Sequence, residues 1–174
     1  LFNKMKERGI TPNVITYNAT ISACEKGGQA QLAYKLFIEM KESGITPNVI
    51  TYNAAISACG KGKQWKKALE LLKEMKENGI TPNVITYSAT ISACEKGGEA
   101  KLAYKLFIEM KKSGITPNVI TYNATISACE KGKQWEKALE LLKEMKENGI
   151  APDVITYNAT ISACEKGSQA QLAD

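Results

Sequence analysis

The sequence has no histidine among its 174 residues. Histidine is the commonest general base and a main metal ligand, so its absence excludes histidine-dependent catalysis in this segment. The acidic residues are scattered singly, without a cluster suited to a catalytic metal. No apolar run is long enough to cross a membrane. We therefore predict a protein that is not an enzyme and has no catalytic residues, metal site or cofactor.

Cysteine is scarce and regularly placed. Each of the five cysteines ends a Ser-Ala-Cys triplet, and no CxxC motif occurs. Their 35-residue spacing is too wide for a disulfide or a shared metal ion. We interpret them as small buried side chains of a protein from a reducing compartment. They are Cys24, Cys59, Cys94, Cys129 and Cys164.

Proline is equally rare, and its positions reveal how the chain is organised. The five prolines follow one another at intervals of 35 residues, so one repeat is copied along the whole sequence. Such a repeat predicts a solenoid, in which each copy buries its apolar face against its neighbours. The net charge of +5 is compatible with a nucleic-acid partner but does not require one. The prolines are Pro12, Pro47, Pro82, Pro117 and Pro152.

Two helices are predicted in each repeat. In the repeat over 14–48, apolar residues at spacings of three and four mark the face of a first helix, which ends at Gly27. A second apolar face follows in a segment rich in Ala, Leu, Glu and Lys, with Gly44 as the expected C-cap. Asn48 is the expected N-cap of the next first helix, with Thr51 as the competitor. The expected fold is an all-α superhelical solenoid of helix-turn-helix hairpins, whose hand the periodicity leaves open.

We number each repeat from its first valine, so that Val14 is position 1, and this numbering gives the repeat boundaries. The chain begins at position 23 and stops at position 21, so we expect it to be a fragment with half a hairpin at each end. The segment 169–173 matches 29–33, and we expect the two half-hairpins to associate head to tail at high concentration. The predicted divisions are partial repeats at 1–13 and 154–174 and complete repeats at 14–48, 49–83, 84–118 and 119–153.

An isoleucine beside a hydrogen-bonding residue recurs on another face of every first helix. Two interpretations stay open: a row of pockets for a polymer with one flat group per repeat, or isoleucines that seal the seam between adjacent first helices. We call the isoleucines at position 2 the isoleucine set: Ile15, Ile50, Ile85, Ile120 and Ile155. Their position 5 neighbours are Asn18, Asn53, Ser88, Asn123 and Asn158.

A lysine lies at position 13 of each repeat, where the first helix ends. A cation there interacts favourably with the helix C-terminus, which is the simpler interpretation. One lysine per repeat also matches one phosphate per repeat of a single strand. This lysine set is Lys26, Lys61, Lys96, Lys131 and Lys166.

Several segments together resemble the pentatricopeptide repeat family, and more narrowly its P class of uniform 35-residue repeats. They are Val-Ile-Thr-Tyr-Asn, Lys-Gly, Ala-Leu-Glu-Leu-Leu-Lys-Glu-Met-Lys-Glu, and Gly-Ile-Thr-Pro-Asn or Gly-Ile-Ala-Pro-Asp, in that order along the repeat. The resemblance covers essentially the whole chain. It implies a right-handed superhelix whose first helices line a concave surface that binds single-stranded RNA. One nucleotide is read per repeat, with the RNA running 5′ to 3′ from the N-terminus.

The resemblance also implies roles for single positions. Position 5 and the last residue of a repeat select the base, position 2 residues sandwich the bases, and the position 13 lysine approaches phosphate. The expected pairs are Asn18 with Asn48 and Asn53 with Asn83 for a pyrimidine, Ser88 with Asn118 for adenine, and Asn123 with Asp153 for uracil, with cytosine as the alternative. Asn158 opens a further repeat, and the predicted core is 5′-Y-Y-A-U-3′. Gly60 stands where the other repeats have glutamate at position 12, and we expect it to have little effect on base choice.

Two alternatives accompany this reading of the sequence. The chain is a helical scaffold for a protein or peptide partner, or it is the RNA-targeting fragment of a larger RNA-processing enzyme. Residence in a mitochondrion or plastid is implied by the family resemblance.

Overall fold

The structure, a computed structural model, describes residues 1–167, and within them all regular secondary structure is helical. The segment 169–173, on which the expected head-to-tail association depends, lies outside the described residues. The helices are α1 (Phe2–Glu7), α2 (Val14–Lys26), α3 (Ala30–Glu42), α4 (Val49–Lys61), α5 (Trp65–Glu77), α6 (Val84–Lys96), α7 (Ala100–Lys112), α8 (Val119–Lys131), α9 (Trp135–Glu147) and α10 (Val154–Lys166).

Each first helix begins at a capping box. The Asn48 side chain accepts hydrogen bonds from the backbone N–H groups of Ile50 and Thr51, both at 3.1 Å. The Thr51 hydroxyl in turn accepts from the Asn48 backbone N–H at 3.0 Å. Asn48 is therefore the N-cap, as predicted, and Thr51 completes the cap from the N3 position instead of competing for it. The other first helices have the same capping box, and their N-cap residues are Asn13, Asn83, Asn118 and Asp153.

The second helices end in a glycine turn. The C-cap of helix α3 is Ser43, so the prediction that Gly44 is the C-cap is wrong by one residue. Gly44 follows the C-cap, with a left-handed φ of 72°. The Ile45 N–H reaches back to the Met40 carbonyl oxygen at 3.1 Å, as in a Schellman motif. Glycine is favoured there because it adopts positive φ without a Cβ clash. The turn directs the chain into the Thr-Pro-Asn segment that starts the next first helix.

The first half of the chain, Leu1–Pro82, is one compact unit. In it α2 packs against α3 and α4, and α4 packs against α3 and α5. The rings of Phe37 and Tyr52 meet edge to face with their centroids 5.1 Å apart. The buried Tyr52 hydroxyl donates a hydrogen bond to Glu74 Oε1 at 2.7 Å. A first helix is thus held between its own second helix and that of the preceding repeat.

The second half, Asn83–Asp174, is the other compact unit. Its described part repeats the packing: α8 contacts α6, α7, α9 and α10, α6 contacts α7, and α9 contacts α10. Phe107 and Tyr122 form the same edge-to-face pair at 5.1 Å, and Tyr122 donates to Glu144 Oε1 at 2.7 Å. Each half therefore consists of stacked helical hairpins.

The cysteines are buried free thiols in these stacks. Burial raises the pKa of Cys59 and Cys129 to about 11 and that of Cys94 to about 12. Among residues 1–167, no group of three or more cysteine, aspartate or glutamate side chains is arranged to hold a metal ion. Over the same residues, every helix is too short or too polar to span a bilayer.

Candidate nucleic-acid interface

The isoleucine set lies on the surface. Each of its five side chains is between 56% and 72% exposed. In the second half, the seam between first helices holds small buried side chains such as Thr121, whose hydroxyl lies 2.7 Å from the Ser88 hydroxyl of the preceding repeat. The interpretation in which isoleucine seals this seam is therefore wrong, and each first helix presents an apolar side chain to solvent.

Position 5 and the last residue of a repeat are brought together where the structure shows both in one half. Asn18 Nδ2 donates to Asn48 Oδ1 at 3.3 Å. Asn18 Oδ1 accepts from the Thr51 hydroxyl at 2.6 Å. The capping box of one first helix thus also positions the position 5 side chain of the helix before it.

Asn123 and Asp153 form the same pair with stronger bonds. Asn123 Nδ2 donates to both Asp153 carboxylate oxygens at 3.0 Å, and Asn123 Oδ1 accepts from the Thr156 hydroxyl at 2.5 Å. The backbone N–H of Thr156, its hydroxyl and the Asn123 amide hold the pKa of Asp153 below its usual value. This carboxylate is therefore ionised at neutral pH and exposed to a ligand.

Ser88 and Asn118 are linked through a threonine. The Ser88 hydroxyl shares a hydrogen bond with the Thr121 hydroxyl, and Thr121 donates from that oxygen to Asn118 Oδ1 at 2.9 Å. Ser88 is only 8% exposed, the same fraction as Asn123 at the corresponding position. A serine there occupies less of the surface than asparagine does, with the same supporting threonine beneath it.

The other residues predicted to select bases lie at equivalent positions of their repeats. Asn53 is half-buried on α4, Asn158 is exposed on α10, and Asn83 caps α6 by accepting from Thr86 N at 3.1 Å. Asn53 belongs to the first half of the chain and Asn83 to the second half.

Members of the lysine set are paired with acids that the sequence analysis missed. Lys61 lies 2.6 Å from Glu25 Oε1, and the same carboxylate accepts from Ser57 at 2.9 Å. In the second half Lys131 pairs with Glu95, and Lys166 with Glu130. A glutamate at position 12 therefore meets the position 13 lysine of the next repeat. A signal existed in the recurring Glu-Lys dipeptide, but the two partners are 36 residues apart.

Two grooves lie between first helices of the second half. One, of about 310 Å³, is lined by residues that include Glu95, Ile120, Asn123, Asp153 and Ile155. The next, of about 330 Å³, has Ser127, Glu130, Ile155, Asn158, Ala159 and Ser162 in its walls. An isoleucine, a position 5 asparagine and a position 12 glutamate thus recur together in concave sites large enough for a small ligand group.

Family models match most of the chain. The model for the pentatricopeptide repeat domain matches residues 1–62 and 70–132. Models for the PPR repeat family and the PPR repeat match 117–166 and 50–80. No curated protein is significantly similar in sequence.

Solved structures show the same fold. The pentatricopeptide repeat protein PPR10, in complex with an 18-nt psaJ RNA element, is 26% identical, with a TM-score of 0.79 over 99% of this chain and 25% of that one. PPR10 from maize is 28% identical, with a TM-score of 0.55 over 96% and 29%. The PPR domain of Arabidopsis thaliana protein-only RNase P 1, in complex with tRNA, is 19% identical and matches in fold alone, with a TM-score of 0.77 over 89% and 82%.

These matches decide the fold class and the family. The chain spans about a quarter of the PPR10 chain that it matches in complex with RNA. The predicted all-α superhelical fold of paired helices is confirmed. With a family model covering well over half of its residues, the chain belongs to the pentatricopeptide repeat family.

Proposed function

We propose that this chain is a non-catalytic, sequence-selective module that binds single-stranded RNA and reads one base per repeat, with the core 5′-Y-Y-A-U-3′. The observation that carries the proposal is the recurrence of an exposed isoleucine beside a position 5 side chain that is hydrogen-bonded to the next capping box. The complete repeats are 14–48, 49–83, 84–118 and 119–153. The likeness to PPR10 in complex with an RNA element supports RNA as the ligand.

The hydrogen bonds within the protein determine what the Asn18 and Asn48 pair offers to a base. Asn18 Oδ1 accepts from Thr51, and Asn48 Oδ1 accepts from the helix N-terminus. Asn18 Nδ2 donates one N–H to Asn48 Oδ1, so its other N–H and the amide N–H groups of Asn48 are the donors left to face a ligand. Donors suit a pyrimidine, because cytosine and uracil both have the O2 acceptor on the Watson–Crick side of the base. This supports reading of C or U by the first repeat and, by the same residue types, by Asn53 with Asn83.

The Asn123 and Asp153 pair offers acceptors instead. Asn123 Nδ2 is directed to the carboxylate, so the free lone pairs belong to the ionised Asp153. These acceptors can bind the N3–H donor on the Watson–Crick edge of uracil, directly or through one water. The pair is therefore compatible with uracil, the base that the family resemblance assigns to it.

The Ser88 and Asn118 pair has the smallest side chain at position 5 of the three kinds of pair. The serine hydroxyl bonds to Thr121 and leaves the space that a longer amide fills in the other repeats. That space favours a purine, and we assign adenine to this repeat. Isoleucine side chains pack on the base faces, since base stacking on an apolar platform does not depend on base identity. The lysine set supplies phosphate contacts.

Fluorescence anisotropy with a short RNA carrying CUAU tests this function. The same RNA with A changed to C, and the matching DNA, are titrated beside it at about 50 and 200 mM salt. We expect micromolar binding, since contact with isoleucine contributes less than the roughly 1–3 kcal/mol per base of aromatic stacking, and the ordering of the RNA opposes it. The CUAU strand should bind best and should weaken with salt. Equal binding of all three strands would refute the base code, and no binding at low salt would favour the protein-scaffold alternative.

A further inference from the structure

Carboxylates lie within the surface proposed to bind RNA. Glu95 lines the groove that contains Asn123 and Asp153, and Glu130 lines the groove that contains Asn158. A negative charge there repels a phosphate backbone over a distance of about the Debye length, roughly 8–10 Å at physiological salt. Second helices have exposed positions for acidic residues, so solubility alone does not account for glutamates on this face.

The glutamates are held by the next repeat. The Glu25 side chain is 14% exposed and the Lys61 side chain 45%; the values are 14% and 45% for Glu95 with Lys131, and 16% and 46% for Glu130 with Lys166. Ser162 adds a hydrogen bond to Glu130 Oε1 at 3.0 Å. The carboxylate is thus the more buried partner, while the lysine remains accessible from solvent.

Two of these carboxylates, Glu25 and Glu130, have a lowered pKa and stay ionised at neutral pH. Partial burial raises the pKa of Glu130, but the hydrogen bonds from Lys166 and Ser162 and the positive charges of Lys166 and Lys131 lower it overall. The same balance, with Lys61 and Ser57 as partners, lowers the pKa of Glu25. At neutral pH the pairs formed by Glu25 and by Glu130 are therefore close to electrically neutral.

We propose that Glu25, Glu95 and Glu130 are internal competitors of RNA phosphates, each holding the lysine of the next repeat in an ion pair that weakens its contact with the backbone. This inference rests on the proposed RNA binding. The lysine side chain of each pair is about 45% exposed, so a phosphate can reach it and displace the glutamate, but the phosphate then binds near an uncompensated carboxylate. The acids lower affinity for all sequences alike, because phosphates carry no base information.

In one repeat the sequence has no glutamate at position 12. Position 12 of the preceding repeat is glutamate for Lys61, Lys131 and Lys166 but glycine, Gly60, for Lys96. Glycine has no carboxylate. Among these four lysines, Lys96 should therefore contribute most to phosphate binding.

The main test compares two triple variants of equal charge. The first replaces the competing acids: Glu25→Gln, Glu95→Gln and Glu130→Gln. The control replaces exposed acids of second helices: Glu42→Gln, Glu77→Gln and Glu147→Gln. If each competing acid accounts for about a twofold effect, the first variant binds CUAU RNA about five- to tenfold tighter than wild type. Its salt slope steepens by as much as about 2, or roughly 0.7 for each released lysine. The control changes both quantities much less.

Single lysine variants give an independent readout that is insensitive to any loss of stability in the triple variant. Lys96→Gln should weaken binding by about two- to fivefold, and Lys131→Gln by clearly less. In the Glu95→Gln background, Lys131→Gln should become as damaging as Lys96→Gln.

The outcomes separate this inference from the proposed function. If wild type binds RNA but the two triple variants behave alike, or Lys131→Gln is as damaging as Lys96→Gln in wild type, the competition is refuted and RNA binding stands. If neither wild type nor the first triple variant binds RNA at low salt, both the inference and the proposed function are wrong.

Discussion

At the scale of single residues, the last side chain of a repeat has two tasks. Asn48 Oδ1 accepts from the first backbone N–H groups of α4 and from Asn18 Nδ2. Because the helix N-terminus fixes this side chain, the pair that we propose to select a base is ordered before any ligand arrives, and the entropy lost on binding is smaller. The same constraint decides which atoms of the pair remain for the base.

Replacing Ser88 by asparagine should change which base the protein prefers at the third position of the RNA core. Ser88→Asn recreates the Asn–Asn pair of the first repeat, so we expect the preference to move from A toward C or U. Asn123 shows that asparagine fits this position at the same 8% exposure. Anisotropy with RNAs that differ only at the third base measures the change, which should be about tenfold or more, as for loss of a buried hydrogen-bonding complement.

The reciprocal variant is its control. Asn18→Ser creates a Ser–Asn pair in the first repeat and should move the first base from a pyrimidine to A without affecting the third. If both variants keep the wild-type preferences, position 5 is not the reading position.

At the scale of helices, the sequence predicted the elements well and their side-chain pairings poorly. The repeating N-cap asparagine and the terminal glycine locate both helices of a repeat, because capping depends on residues close in the chain. The ion pair of Lys61 with Glu25 and the bond from Thr51 to Asn18 join residues more than 30 positions apart. Such contacts depend on the register between hairpins, which local patterns do not determine. The exposure of Ile15 was undecided for the same reason.

Removing one cap should destabilise the protein by a defined amount. Asn48→Ala removes the acceptor of two backbone N–H groups and of the Asn18 amide. We expect the free energy of unfolding to fall by about 1–2 kcal/mol, the usual range for loss of an N-cap. Urea unfolding followed by circular dichroism measures it. The matched control is Asn3→Ala on the exposed side of α1, which should change stability by less than about 0.5 kcal/mol. Equal effects of the two variants would contradict a capping role for Asn48.

At the scale of the whole molecule, stability should be flat over a wide range of pH. The absence of histidine leaves no side chain with an ordinary pKa between those of the acids and the thiols. The hydrogen bond from Lys6 lowers the pKa of Glu39 below its ordinary value of 4.5, and Glu25 and Glu130 are also lowered. Burial raises the pKa of Cys94 from 9.0 to about 12, and Cys59 and Cys129 rise to about 11.

These pKa shifts limit the pH range of constant stability at its acid end and at its alkaline end. A carboxylate with a lowered pKa in the folded state stabilises the fold above 4.5, and this contribution is lost as pH falls through the folded pKa. A thiol with a raised pKa stabilises the fold below 9.0, and this contribution is lost as pH rises toward the folded value. Tyr52 and Tyr122, whose pKa burial raises to about 12, act in the same direction above 10.0.

We therefore predict that the free energy of unfolding is constant from about pH 5 to pH 9 and falls on both sides. Urea midpoints measured at intervals of pH give the profile. A variant with Cys24→Ala, Cys59→Ala, Cys94→Ala and Cys129→Ala, which removes the thiols whose pKa burial raises, separates the two limits. It should be less stable throughout, because buried thiols pack as small apolar groups. Its alkaline decline should begin nearer the tyrosine value of 10.0, while its acid decline stays where it was. A decline of the wild type between pH 6 and 8 would contradict this account, because no described group with a shifted pKa titrates there.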